Sequence, residues 1–300
     1  MQQQMNQPDF DAFIGQAWDD HVADSPGVAE RLLAQASALA SEEARILPLA
    51  HLAHHVMGPH LGRWQAAITF QRQLAALPHC TPGGDAAQAI GRYIASLQLA
   101  AGQADALQGL APSDRIRVAA LAAGCLAEFD APRAQALLQQ AQAEFEAAAL
   151  PDSDPSARAL AVAGNGIAGT LEDKTARTPA ERELMIRAAQ AARVWWERAG
   201  TWLEVERAEY RLALSWLQAG DLAQARRHAQ TCLEMVQAQD APALEHFFAW
   251  EALGRVERAA GNATGQRQAL AHMDTAFQGL DDSDRGWCAP SLQALRENPA

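Results

Sequence analysis

The stretch AEYRLALSWLQAGDLAQARRHAQTCLEMVQAQD, Ala208 to Asp240, decides the fold. Leu212, Trp216 and Leu217 mark one helical face, and Ala225, Ala229, Cys232, Leu233 and Val236 mark a second. Both sets follow the i, i+3, i+4 spacing of a helix that buries one side. Gly220-Asp221 stands between them. Glycine adopts the left-handed conformation that ends a helix without steric cost, and aspartate accepts the free amide hydrogens of the next one. The stretch therefore predicts a helix, a tight turn and a second helix lying antiparallel to the first.

The same pattern recurs outward from this point. Ala249, Leu253 and Val256 precede Gly261-Asn262, and Leu270, Met273 and Phe277 follow. Toward the N-terminus, Phe129-Asp130 precedes Arg133-Ala134, Leu137 and Leu138, and Leu61-Gly62-Arg63-Trp64 precedes Ala66-Ala67 and Phe70. Asp154-Pro155 opens another pair, whose second helix starts at Thr178-Pro179-Ala180-Glu181 with cap, proline and acid in order. First helices are expected to begin near residues 42, 86, 113, 156, 200 and 242, mostly 42 to 44 residues apart with one interval of 27. A regular period of this size predicts a helical solenoid. Composition agrees: alanine is about a fifth of the chain, with abundant Leu, Gln, Glu and Arg, while β-branched and aromatic runs are missing.

Leu212-Ala213, Trp216, Gly220-Asp221, Ala225 and Cys232 fall where the tetratricopeptide repeat has its Leu-Gly, aromatic, Gly-Asp turn, Ala and second small residue. Leu253-Gly254, Gly261, Ala269 and Ala271 repeat part of this. The chain thus resembles a degenerate tetratricopeptide array, with repeats longer than the family's 34 residues and mostly without the closing proline. The resemblance covers 200 to 280 well and 113 to 150 fairly. It implies an all-α, right-handed α-α superhelix of antiparallel helix pairs. The expected organisation is a flexible tail over 1–8, capping helices over 9–41, the repeat array over 42–280 and a C-terminal capping segment over 281–300. Within these, helices are expected at Asp9–Val22 and Ser25–Ala40, a polar turn at Asp281–Asp284 and a short last helix at Pro290–Arg296. The breaker Pro78-His-Cys-Thr-Pro-Gly-Gly84 reads as a loop of the array or a domain joint.

Net charge is −12, a field that repels phosphate backbones and anionic lipid. Nucleic acid and membrane are therefore not expected as partners, and Arg226-Arg227-His228 is the nearest basic patch. No apolar stretch approaches the roughly 20 residues of a membrane span, and no secretory signal is read in the N-terminal residues. Four separated cysteines, Cys80, Cys125, Cys232 and Cys288, suggest buried reduced thiols in a bacterial-type cytoplasm. The lone lysine, Lys174, reads as a coding bias.

Three constellations could carry chemistry. His51, His54 and His55 share a helical region and could offer two imidazoles to a metal, take part in ligand binding, or simply pack. A further ligand is needed; His60 follows Gly58-Pro59, which should break the helix, and Asp19, Asp20 and His21 could approach from the first helix. With the set incomplete, no metal or other cofactor is expected. Gly164-Asn-Gly166-Ile-Ala-Gly169 matches a dinucleotide fingerprint, but Ala159–Ala163 before it reads as helix and close helix packing explains the glycines better. Trp195, Trp196, Trp202, Tyr210, Trp216 and Trp250 form an aromatic set that either fills the core or offers anchors. Trp195 and Trp196 point about 100° apart, so they cannot both face the same core, and the alternatives of core packing and a surface anchor both stand for them.

By its resemblance the chain should be a non-enzymatic adaptor or scaffold that binds a protein or peptide segment through inward-facing first-helix positions, Glu209, Leu212, Trp216, Trp250, Leu253 and Glu257. Two other readings stand beside it: a regulatory or sensory repeat protein for a small ligand or signalling peptide, and a metalloprotein or enzyme centred on His51, His54 and His55.

Overall fold

A computed structural model describes residues 9–297. The expected 1–8 tail and the last three residues of the C-terminal segment lie outside them. The described residues form fourteen α-helices and no strand. Contacts divide the chain into two compact units that meet at Leu150 and Pro151.

The first unit contains α1 (Phe10–Asp20), α2 (Ser25–Leu39), α3 (Glu43–His55), α4 (Trp64–Ala75), α5 (Asp85–Ala100), α6 (Pro112–Leu126) and α7 (Ala131–Ala147). A π-helical turn, Val56–His60, continues α3, and a 3-10 turn, Ala104–Leu107, follows α5. Helix starts agree with the sequence because local chemistry dictates them: Asp9, Asp24 and Asp130 accept amide hydrogens at the starts of α1, α2 and α7. The interval of 27 now has a structural meaning. α5 has no return helix of its own; it packs between α4 and α6 and also touches α3. The Pro78–Gly84 breaker joins α4 to α5 inside this unit. Ile46, Leu49, Leu52, Met57, Ile68, Phe70, Ile90 and Leu97 are fully buried and form much of the core.

The second unit contains α8 (Pro155–Glu172), α9 (Pro179–Ala199), α10 (Trp202–Ala219), α11 (Leu222–Ala238), α12 (Ala243–Ala259), α13 (Ala263–Gln278) and α14 (Asp282–Glu297). Helices pack most closely as the pairs α8–α9, α10–α11 and α12–α13. Gly220 and Gly261 end α10 and α12 at φ of 85° and 69°, and Asp221 and Asn262 cap the helices that follow. Turns this short force the paired helices antiparallel. Thr178 and Glu181 form a reciprocal capping box at α9, and Thr201 and Glu204 form a second one at α10.

One expectation fails here. The last helix is not confined to 290–296: α14 begins at Asp282, with Asp281 accepting the Asp284 amide, and Pro290 lies inside it. The acidic run that reads as a turn is a capped helix start. Of the two alternatives for Trp195 and Trp196, the core one holds for both, at 3% and 8% exposure. Their divergence is real, but α9 is covered on two sides, by α8 and by α10. Arg198 lies over the Trp195 ring and Arg158 over Trp196. The exposed tryptophan is Trp287, on α14.

Candidate functional site

Gly164, Gly166 and Gly169 lie inside α8, not at a helix start, and no strand precedes them. A Cβ on Gly164 would stand 2.6 Å from the Ala188 carbonyl oxygen on α9, whereas one on Gly166 would meet nothing. The dinucleotide reading is excluded, and close helix packing accounts for Gly164.

The six first-helix positions turn out to be largely engaged with the protein itself. Glu209 is buried; Arg193 Nε donates to its Oε1 at 2.7 Å and His228 Nδ1 to its Oε2 at 2.6 Å. Burial alone would raise this carboxyl, but those two hydrogen bonds outweigh it and hold the group below its usual range. Glu257 is likewise buried and held below its usual range: Arg226 grips both oxygens, at 2.8 and 2.9 Å, and Asn262 Nδ2 donates at 2.6 Å. Leu212 is 2% exposed. Leu253 packs against the clusters around Ala252 and Cys232, and Trp250 stacks on His272 at 4.0 Å between ring centres. The basic patch dissolves by the same pairing, since Arg226 and His228 are both spent on buried glutamates.

Trp216, by contrast, lines an open groove. That groove, about 520 Å³, is bounded by Pro179, Ile186, Gln190 and the charged Arg182, Glu183 and Arg187 of α9, by Trp216 and Ala219 of α10, and by Asp221. Glu183 and Arg187 pair with each other at 2.9 Å, and Asp221 is committed to capping α11. Arg182 is exposed and has no ionic partner among the described residues. The groove therefore combines an apolar floor, Trp216 and Ile186, with one uncommitted guanidinium.

The histidine run separates into two environments. His54 is buried; its Nε2 lies 2.9 Å from Ser96 Oγ and 3.7 Å from Cys125 Sγ, and its ring stacks on Tyr93. Burial, reinforced by His51 and His55, pushes His54 down to about 3, and burial pushes the Cys125 thiol up to about 12. A neutral imidazole beside a protonated thiol inside the core is a packing contact; nucleophilic catalysis needs a thiolate. His51 points along the same helix toward Trp18 and Tyr93.

His55 goes the other way. The Gly58-Pro59 pair does not break the helix as expected. Proline has no N–H to donate to the carbonyl four residues back, and the chain widens into the π-turn Val56–His60. Five residues then make slightly more than one turn, and His60 returns over His55 with Nε2 to Nε2 at 3.1 Å. From the end of α1, His21 joins them, its ring centre 5.0 Å from His55 and 5.3 Å from His60. Trp18 backs the group, 5.1 Å from His55. Burial lowers His55 to about 3, helped by His60 and His21, so the ring is neutral at pH 7. The sequence singled out His51, His54 and His55; the structure assembles His21, His55 and His60 instead.

A scan against protein-family models finds no match to this chain, and a search among curated proteins finds none either.

Proposed function

We propose that this chain is a recognition protein, an adaptor or scaffold built from tetratricopeptide-like helix pairs in a right-handed α-α superhelix, which binds a peptide or protein segment in the α9–α10 groove. One observation carries the reading: in a unit where most buried acids already have internal partners, this groove leaves an apolar floor and an uncommitted arginine facing solvent. Its volume falls within the roughly 300 to 1,000 Å³ typical of ligand sites, and its exposed charged rim suits a chain passing through better than a small molecule enclosed on all sides. A bulky apolar side chain would lie on Trp216 and Ile186, and a neighbouring carboxylate on Arg182. Glu209 and Glu257 are paired internally, so the charge the groove offers is that of Arg182, which suits an acidic segment. Four free, buried cysteines are consistent with a cytoplasmic setting.

Selection from a displayed peptide library on the full chain tests this. Enriched peptides should combine a large apolar residue with an acid and bind at least tenfold more weakly to Ile186→Ala and to Arg182→Glu. Peptides that bind both variants as well as wild type refute the groove. Trp216→Ala should lose binding while Trp250→Ala, which is not part of the groove lining, retains it.

A further inference from the structure

We infer that His21, His55 and His60 form a binding site for one divalent transition-metal ion of the zinc class. The inference is independent of the peptide groove, which lies in the other unit.

Three imidazoles offer their ligating nitrogens within 4.8 Å of one another. The His55–His60 separation, 3.1 Å, is close to the separation of about 3.3 Å that two nitrogens assume on a tetrahedral zinc at bonds of about 2.0–2.1 Å. In the absence of an ion, one of these two nitrogens must carry a proton for the other to accept, and a metal takes the place of that shared proton. His21 is oriented from behind. Its Nδ1 lies 2.5 Å from the Trp18 carbonyl oxygen; a carbonyl only accepts, so Nδ1 carries the hydrogen and Nε2 keeps its lone pair. A backbone carbonyl fixing the far nitrogen is the usual way in which a metal-bound imidazole is aimed.

Two features make this more than a chance meeting of rings. The first is the π-turn. An unbroken α-helix would place His60 about 140° around the axis from His55, because five residues advance by about 100° each. The widened turn is what brings His60 back over His55, and such turns recur at functional sites. It is also held in place: Gly58 sits so close to the core that a Cβ there would be 3.0 Å from Cys125 Sγ and 3.2 Å from Leu97 Cδ2. The second is origin. His21 comes from α1 and the other two from the end of α3 and its continuation, so an ion would tie together elements separated by α2 in the chain. An all-imidazole donor set selects zinc, cobalt, nickel or copper over calcium and magnesium, which require oxygen. All three rings are half-buried, leaving the fourth coordination position open to water or to a ligand atom.

The experiment is a titration of the full, chelator-stripped chain with Zn(II) by calorimetry and with Co(II) by visible absorption. One equivalent per chain is expected, with ligand-field bands of a low-coordinate cobalt and a raised unfolding temperature of the first unit. His21→Gln and His60→Gln should each lose the bound equivalent, and His246→Gln should keep it. Absence of binding to wild type, or unchanged stoichiometry in both ligand variants, overturns the site. Should those variants fail to fold, histidine-directed labelling of wild type decides: zinc should protect His21, His55 and His60 and leave His246 and His272 reactive, and protection spread evenly over all of them refutes the assignment.

Discussion

At the scale of single residues, the clearest contrast is between two glycines of one helix. Gly164 and Gly166 are both interior to α8, where replacement by alanine normally adds up to about 1 kcal/mol of helix stability. Gly166 is exposed and a Cβ there is free, so Gly166→Ala should stabilise by about 0.5–1 kcal/mol. Gly164→Ala should instead cost about 1–3 kcal/mol, because the added carbon meets the Ala188 carbonyl and the Ala192 amide of α9. Chemical denaturation measures both; equal effects would mean that α8 does not approach α9 as described. Glu206 poses a different question. It is 1% exposed, has no arginine on it, and accepts from Cys232 Sγ at 2.8 Å. Burial pushes its carboxyl up to about 7, and the neighbouring Glu245 adds to the effect. Between about pH 4.5 and 7 the folded chain holds this proton and the unfolded chain has released it. Stability from this group is therefore present at low pH and lost as pH rises through that window. The gap in unfolding free energy between wild type and Glu206→Gln should move in the variant's favour by on the order of 2 kcal/mol from pH 5 to pH 8. Parallel pH profiles for the two would show that Glu206 titrates normally.

At the scale of elements, starts and stops were legible because they depend on neighbours in the chain. Thr178 through Glu181, Gly220-Asp221 and Gly261-Asn262 each carry their own caps. Gly220→Val should cost about 1–2 kcal/mol through its φ of 85° alone, since a Cβ there would touch nothing; an unchanged denaturation midpoint would contradict the turn. What stayed hidden depends on partners far along the chain. Nothing local says that Gly58-Pro59 widens a helix instead of ending it, for that outcome rests on the core contacts of Gly58. Nor did the pattern show that Glu209 and Glu257 are buried and paired within the protein instead of facing an open groove. One signal was available: Glu172 with Arg211 and Ser215, Arg207 with Glu245, and Tyr210 with Glu251 are separated by 39, 43, 38 and 41 residues. These offsets are close to the repeat period itself, so Glu172, Glu245 and Glu251 each meet a partner one repeat away.

At the scale of the molecule, the second unit is held by an ionic lattice as well as by its apolar clusters. Glu172, Glu181, Glu209, Glu245, Glu251 and Glu257 are all buried, and each has a cationic partner. Removing the cation leaves an uncompensated carboxylate inside the protein. Arg255→Ala, which strands the fully buried Glu251 carboxylate, should therefore cost about 3–5 kcal/mol, read as a lowered melting transition of the second unit. A loss below 1 kcal/mol would place the pair in solvent. This lattice also governs how the gene can drift. A single base change that removes the arginine strands a buried carboxylate and lowers stability at once, whereas losing both members to apolar residues is tolerable or better. Lineages descended from this sequence should therefore keep or discard Glu172 with Arg211, and Glu257 with Arg226, as linked pairs inherited together, while the solvent-facing acids vary one at a time.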